Sequence, residues 1–87
     1  MDIRIDPHTL GRAMERGANE IEIKDVLTSG AVIPAKHNRL AKAKVYPYNK
    51  ERLGKQYAEK RIEVMYVIEE ETIVTVTVYV FYGKWGK

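Results

Sequence analysis

The N-terminal segment carries a histidine and two arginines at a spacing that could support chemistry on a phosphodiester. His8, Arg12 and Arg16 are four residues apart, so a helix would place them along one side. Cleavage of RNA without a metal needs a base for the 2′-hydroxyl proton, an acid for the leaving 5′-oxygen and cations for the phosphoryl oxygens. The positive end of a helix favours neutral imidazole and hence a base, and arginine offers phosphate a bidentate fork. We interpret all three as candidate catalytic residues.

The segment 73–82 is the clearest strand in the sequence, because it is β-branched at nearly every position. Its alternation predicts one face of pure valine in the core, formed by Val74, Val76, Val78 and Val80. The opposite face is amphipathic and is expected to be exposed. On that face Tyr79 is a fourth candidate catalytic residue, since its hydroxyl can bind phosphate and its ring can stack on a base. Thr75 and Thr77 share this face, and as favourable strand formers they could simply fill it.

Positive charge is concentrated in the middle of the chain. Residues 39–62 hold eight basic and two acidic residues, a net charge of +6, whereas the whole chain carries +3. Such a block with tyrosines between its lysines is typical of a surface that binds a polyanion, and the alternative interpretation is a solvated basic hairpin. Within the block, the candidate nucleic-acid contacts are Lys42, Lys44 and Tyr46.

Several classes of protein are disfavoured by what the sequence lacks. The chain has no cysteine, which excludes disulfide scaffolds, thiol catalysis and cysteine-rich zinc sites. It has no Walker-type or dinucleotide-binding glycine loop and no nucleophile elbow, and its two histidines do not form a metal-binding motif. We therefore expect neither a metal nor a cofactor. An apolar run long enough to span a membrane and a signal peptide are both missing, so we expect a cytoplasmic protein without a membrane partner.

Capping signals predict two short helices near the N-terminus. Asp6 followed by proline is typical of a helix start, and Gly17 is typical of a left-handed helix end. Asn19, with a glutamate three residues later, has the pattern of a capping box. The predicted helices span residues 7–16 and 20–29.

The remainder of the chain alternates with a period of two, which predicts strands. Their predicted ranges are 31–33, 39–48, 60–68 and 73–82, with a polar turn over 49–54. We expect a single α+β domain over residues 1–87. In it, two short N-terminal helices pack on one face of a three- to four-stranded, mainly antiparallel sheet, and the other face is exposed.

The order of these motifs resembles a small prokaryotic family known as domain of unknown function 4258. The resemblance rests on the opening motif His8-x-x-x-Arg12-x-x-x-Arg16-Gly17 and on the closing strand Thr75-Val76-Thr77-Val78-Tyr79. It implies two helices against an antiparallel sheet, an arrangement similar to the toxin ribonucleases of the RelE, barnase and colicin group. Those proteins are metal-independent endoribonucleases that a cognate antitoxin commonly neutralises. The analogy carries over His8, Arg12, Arg16 and Tyr79 as catalytic residues and Thr77 as a nucleic-acid contact, at the level of fold.

Together these observations favour a small cytoplasmic RNA-binding protein of the toxin endoribonuclease type, with an antitoxin as its protein partner. RNA would lie across the exposed sheet face, and the basic strand, residues 39–48, would hold its phosphates. The alternative interpretation is a non-enzymatic protein-interaction module or a homodimer. Its expected anchors are the aromatic residues Tyr79, Phe81, Tyr82 and Trp85.

Overall fold

The computed structural model describes residues 1–86, which form two helices on one face of a five-stranded sheet. The helices are α1 (Pro7–Arg16) and α2 (Glu20–Ser29). The strands are β1 (Asp2–Arg4), β2 (Ala31–Ile33), β3 (Leu40–Arg52), β4 (Lys55–Glu69) and β5 (Thr72–Gly83). Their order in the sheet is β1-β5-β4-β3-β2, and β1 runs parallel to β5 while the other neighbours are antiparallel. The α+β class is confirmed, but the expected sheet is wrong by one strand, because β1 is too short to give a periodic signal.

Both helices begin and end through the hydrogen bonds that their sequences favour. The Asp6 carboxylate accepts from the backbone N–H groups of His8 at 3.0 Å and Thr9 at 3.3 Å. Gly17 ends α1 with φ of 106°, a conformation that glycine adopts without steric cost. A complete capping box between Asn19 and Glu22 begins α2. These local bonds fix the short connection between the helices.

Strands β3 and β4 are longer than predicted and form an extended hairpin. Pairing continues through Arg52 and Lys55, and the hairpin closes at Leu53 and Gly54, which have φ of 53° and 81°. Two consecutive positive φ angles are typical of the tight hairpin turn whose twist matches the strands. The predicted polar turn over 49–54 is therefore too long: only its last two residues turn, and the preceding polar residues, mostly exposed, continue β3.

The core lies between the two helices and the central strands. Its members are small or branched apolar residues of the helices and the inward residues of β4 and β5: Ala13, Ala18, Ile23, Val26, Leu27, Ile62, Val64, Tyr66 and Val78. Their burial provides the main stabilisation of the helices, since a ten-residue helix is marginal by itself in water.

Strand β5 contains an irregularity that exchanges its two faces. Its register with β4 skips Val76, so Val78 faces the helices on one side of the irregularity and Thr75 faces them on the other. Thr75 is only 3% exposed and lies beside Tyr66 of the core. The predicted all-valine core face is therefore wrong at Val74, which lies on the open face. A β-bulge of this kind cannot be recognised where valine and threonine, both good strand formers, alternate.

The last turn of α1 is held to the sheet by three side chains from three strands. They bond its terminal backbone carbonyls: Arg52 donates to Glu15 at 3.2 Å, Tyr82 to Arg16 at 2.7 Å and Lys60 to Gly17 at 2.8 Å. The final carbonyls of a helix have no partners within it and form its negative end, so cationic donors are favourable there.

Gly17 and Tyr82 should be energetically coupled, because a Cβ at position 17 would overlap the tyrosine hydroxyl. We expect Gly17→Ala to lower the free energy of unfolding by more than about 1 kcal/mol, since its left-handed backbone also disfavours alanine. In a Tyr82→Phe background, which itself costs about 1 kcal/mol, the same substitution should cost less. Urea denaturation of the four proteins measures this coupling. An equal cost of Gly17→Ala in both backgrounds would contradict the overlap.

Candidate functional site

A pocket of about 270 Å³ opens between α1 and the edge of β5. It begins where β1 ends, because β1 pairs only with the first three residues of β5 and α1 lies along the rest of that edge. The pocket is lined by His8, Thr9, Arg12, Arg16, Val76, Thr77 and Val78. The structure thus brings together His8, Arg12, Arg16 and Thr77, four of the candidate residues.

Side chains of α1 bond the free backbone edge of β5. The Arg16 guanidinium donates from Nη1 to the carbonyl of Val78 at 2.8 Å, and the Thr9 hydroxyl donates to the carbonyl of Val76 at 3.5 Å. These bonds satisfy edge groups that would otherwise be open to another strand. Sequence reasoning missed Thr9, although it lies two helical turns before Arg16 and hence on the same side of α1.

The electrostatics of the pocket favour an anion. No acidic side chain is among the residues that line it, and the hydrogen-bond acceptor of Arg16 is a neutral carbonyl. Among residues 1–86, neither Arg12 nor Arg16 forms an ion pair. Two guanidinium charges are therefore available to a ligand beside an exposed imidazole.

Tyr79 connects this pocket to the open face of the sheet. The Arg16 guanidinium carbon lies 5.7 Å from the centre of the Tyr79 ring, within the range of a cation–π interaction. The tyrosine is 42% exposed, and the Phe81 ring lies beside it at 6.3 Å between centres. An aromatic surface thus continues directly from the cationic pocket.

The basic strand points toward the helices, and the expectation that it holds phosphates on the exposed face is wrong in its placement. Lys42 donates to the carbonyl of Leu27 at 2.8 Å, near the C-terminus of α2. Lys44 and Tyr46 both donate to the Asp25 carboxylate, at 2.7 and 2.6 Å. The structure therefore separates these three side chains from the pocket and pairs them with α2.

Asp25 is the acceptor on which this contact between α2 and β3 depends. Hydrogen bonds from Lys44, Tyr46 and Ser29, in that order of importance, lower the pKa of Asp25 to about 2. Burial, followed by the bond to the carboxylate, raises the pKa of Tyr46 above its usual value, so its phenol stays protonated and donates. At neutral pH, therefore, Asp25 is ionised and accepts, while Tyr46 is protonated and donates.

The aromatic residues near the C-terminus divide between the two faces. Tyr82, expected as an exposed anchor, lies on the helix side with its ring against Tyr48 at 5.1 Å, and burial raises its pKa. Trp85 is 41% exposed, and its backbone N–H, with that of Gly86, donates to Glu59. These bonds, that of Gly86 first, lower the pKa of the Glu59 carboxyl. Tyr82 is therefore not part of the exposed aromatic surface.

Metal binding and membrane crossing can both be assessed from the described residues. Within residues 1–86, the structure places no group of three or more histidine, aspartate and glutamate side chains where they could hold a metal ion. Neither helix of this described part is long and apolar enough to cross a membrane.

Fold and pocket define an α+β domain with two helices on a mixed sheet and a cationic pocket at the edge of β5. The model of the family described as Domain of unknown function (DUF4258) matches residues 5–80, and the chain belongs to this family. The resemblance seen in the opening and closing motifs is thereby confirmed at the level of the family. No curated protein and no solved structure matches the sequence. The further likeness to toxin ribonucleases has no support from these comparisons.

Replacing Asp25 should reduce the acid sensitivity of the fold. The pKa of its carboxyl is lowered from 3.8 to about 2 in the folded chain, so the carboxylate stabilises the fold above about pH 4. That contribution is lost as the pH falls through about 2. We expect Asp25→Asn to be less stable than the unmodified protein at neutral pH, with a difference that shrinks in acid. Urea unfolding across this range, with Glu20→Gln as the control on α2, measures it. A difference independent of pH would contradict the assignment.

Proposed function

We propose that the chain binds RNA in the pocket between α1 and β5 and cleaves it without a metal ion. The observation that carries this proposal is the convergence of His8, Arg12 and Arg16 in one pocket whose lining contains no carboxylate. A phosphodiester supplies the anion that two arginines would bind, and the 2′-hydroxyl of RNA supplies a proton for an imidazole base. The cytoplasmic location expected from the sequence is part of this proposal.

The proposed reaction is an attack of the ribose 2′-oxygen on the neighbouring phosphorus. His8 accepts the 2′-hydroxyl proton, the 2′-oxygen bonds to phosphorus, and the bond to the 5′-oxygen breaks as that oxygen takes a proton from water. The His8 imidazolium then gives its proton to the hydroxide that remains, which restores the base. Arg12 and Arg16 stabilise the charge that grows on the phosphoryl oxygens. Arg16 uses one N–H for the Val78 carbonyl and keeps others for the phosphate. The products end in a 2′,3′-cyclic phosphate and a 5′-hydroxyl.

Thr77 and Tyr79 would complete the site around the scissile phosphate. Thr77 lines the pocket and offers a hydroxyl for a phosphate or ribose oxygen. Tyr79 offers its exposed ring to a base and its hydroxyl as a hydrogen-bond donor. A cognate antitoxin, the protein partner that we propose, would inhibit by covering this surface, and acidic side chains would complement its arginines.

Cleavage in the presence of EDTA tests the proposal directly. We expect purified protein to cut labelled single-stranded RNA into fragments that end in 2′,3′-cyclic phosphate. His8→Ala should reduce the rate about 100-fold or more, because it removes the base, while RNA affinity changes little. Met14→Ala is the matched control, since Met14 is exposed on α1 outside this pocket. If cleavage survives in a folded His8→Ala protein, the proposed mechanism is wrong.

A second candidate function is a non-enzymatic interaction through the open sheet face. The observation in its favour is that Phe81, on the same side of the sheet as Tyr79, is 46% exposed. Trp85 is 41% exposed, and its ring lies against Gly83, which follows on that side of β5. Large aromatic side chains are enriched at the centres of protein interfaces. The partner would be a protein or a second copy of the chain.

Salt dependence distinguishes the two candidate functions. We expect RNA affinity to fall about tenfold or more between about 50 and 200 mM salt, since binding at the arginines releases counterions. Association through the aromatic face should change little over the same range, and Phe81→Ser should abolish it. Fluorescence anisotropy with labelled RNA and sedimentation of the protein alone measure the two quantities. RNA binding that is insensitive to salt would contradict a site built on Arg12 and Arg16.

A further inference from the structure

The loop between β2 and β3 forms a second basic pocket on the open face of the sheet. Loop residues enclose about 280 Å³ against Met65 of β4 and Tyr79 of β5. Three of the lining side chains are basic: Lys36, His37 and Arg39. Within residues 1–86 none of the three forms an ion pair, so the positive charges of Lys36 and Arg39 are available to a ligand.

A compact turn gives the loop a defined shape. His37 and Asn38 adopt left-handed backbone angles, with φ of 61° and 58°, and the Arg39 N–H donates to the carbonyl of Lys36 at 3.3 Å. Histidine and asparagine are among the residues that tolerate this region best. The turn therefore holds Lys36 and Arg39 close together at the rim of the open face.

Tyr79 lies between this loop pocket and the pocket at α1. Its ring lines the loop pocket, and the same ring lies 5.7 Å from the guanidinium carbon of Arg16. One exposed aromatic ring thus lines the loop pocket and adjoins an arginine of the pocket at α1. The order of cation, aromatic ring and cation matches the order of phosphate, base and phosphate along a nucleic acid strand.

We propose that single-stranded RNA spans both pockets, with one phosphate at Arg12 and Arg16, a base stacked on Tyr79 and a phosphate further along the same strand at Lys36 and Arg39. This inference rests on the proposed RNA function and names its substrate class. A duplex keeps its base faces stacked within the helix and cannot present one to Tyr79. A mononucleotide fills one pocket only, so it gains nothing from the loop.

Binding of a short fluorescent oligonucleotide tests the spanning arrangement, with the His8→Ala protein as background so that the RNA stays intact. We expect the double variant Lys36→Gln/Arg39→Gln to weaken binding of an RNA of about eight nucleotides roughly tenfold, and to leave mononucleotide binding unchanged. Tyr79→Leu should weaken binding about fivefold or more, whereas Tyr79→Phe retains the stacking ring, loses only the hydroxyl and should weaken binding less than Tyr79→Leu. The double variant Lys50→Gln/Lys55→Gln removes the same charge from the β3–β4 hairpin and should change affinity less than about twofold.

The outcomes separate the inference from the proposed function. If Arg12→Gln weakens RNA binding and the loop variant does not, the second phosphate contact is wrong while the RNA site at α1 stands. If the hairpin variant weakens binding as much as the loop variant does, the effect is one of net charge alone. If the annealed duplex binds as tightly as the single strand, no base stacks on Tyr79. Either result overturns the inference. If the unmodified protein binds no RNA, the proposed function itself fails. Displacement of the RNA by an acidic peptide at equal concentration would assign the surface to a protein.

Discussion

The last turn of α1 is fixed to the sheet by hydrogen bonds that its own backbone cannot make. Its terminal carbonyls need donors, and the sheet supplies them from β3, β4 and β5. Lys60 also pairs with Glu22 of α2 at 2.8 Å, so one ammonium group connects both helices to β4. Loss of either partner would leave a largely buried charge without its counter-ion, which is costlier than loss of an exposed pair. The orientation of both helices over the sheet depends on these contacts.

The same docking determines where the pocket lies. Arg16 contacts β5 twice, because its carbonyl accepts from Tyr82 while its guanidinium donates to the carbonyl of Val78. The C-terminal end of α1 is held in this way. Because an α-helix has 3.6 residues per turn, Arg12 and His8 lie along the same edge, about one and two turns before Arg16. The edge is free to receive them because β1 covers only the start of β5. One helix and one strand edge thus create the whole cationic pocket.

Local signals were sufficient for the helices and for the grouping of residues along α1, but not for the faces of the sheet. Helix ends are encoded by caps such as Asp6 and Gly17, whose hydrogen bonds and backbone angles are local. A period of two places Lys42 and Ala41 on opposite faces of the sheet, but it does not indicate which of the two faces the helices. Ala41 lies on the open face and is nonetheless buried, whereas the lysine faces α2 and bonds its C-terminal carbonyl. Tertiary contacts decide such cases, so a period of two cannot predict them.

Net charge along the sequence also differs from the charge that a ligand meets. Of the eight basic residues in 39–62, five bond helix carbonyls or carboxylates: Lys42, Lys44, Arg52, Lys60 and Arg61. Helix C-termini attract cations. Basic side chains that face the ends of both helices therefore bond groups within the fold, and their charge is not available to a ligand. Within residues 1–86, the positive groups without such partners that adjoin Tyr79 belong to α1 and to the loop before β3. The positive potential available to a polyanion therefore lies on either side of the Tyr79 ring, although most of the positive charge in the sequence lies in residues 39–62.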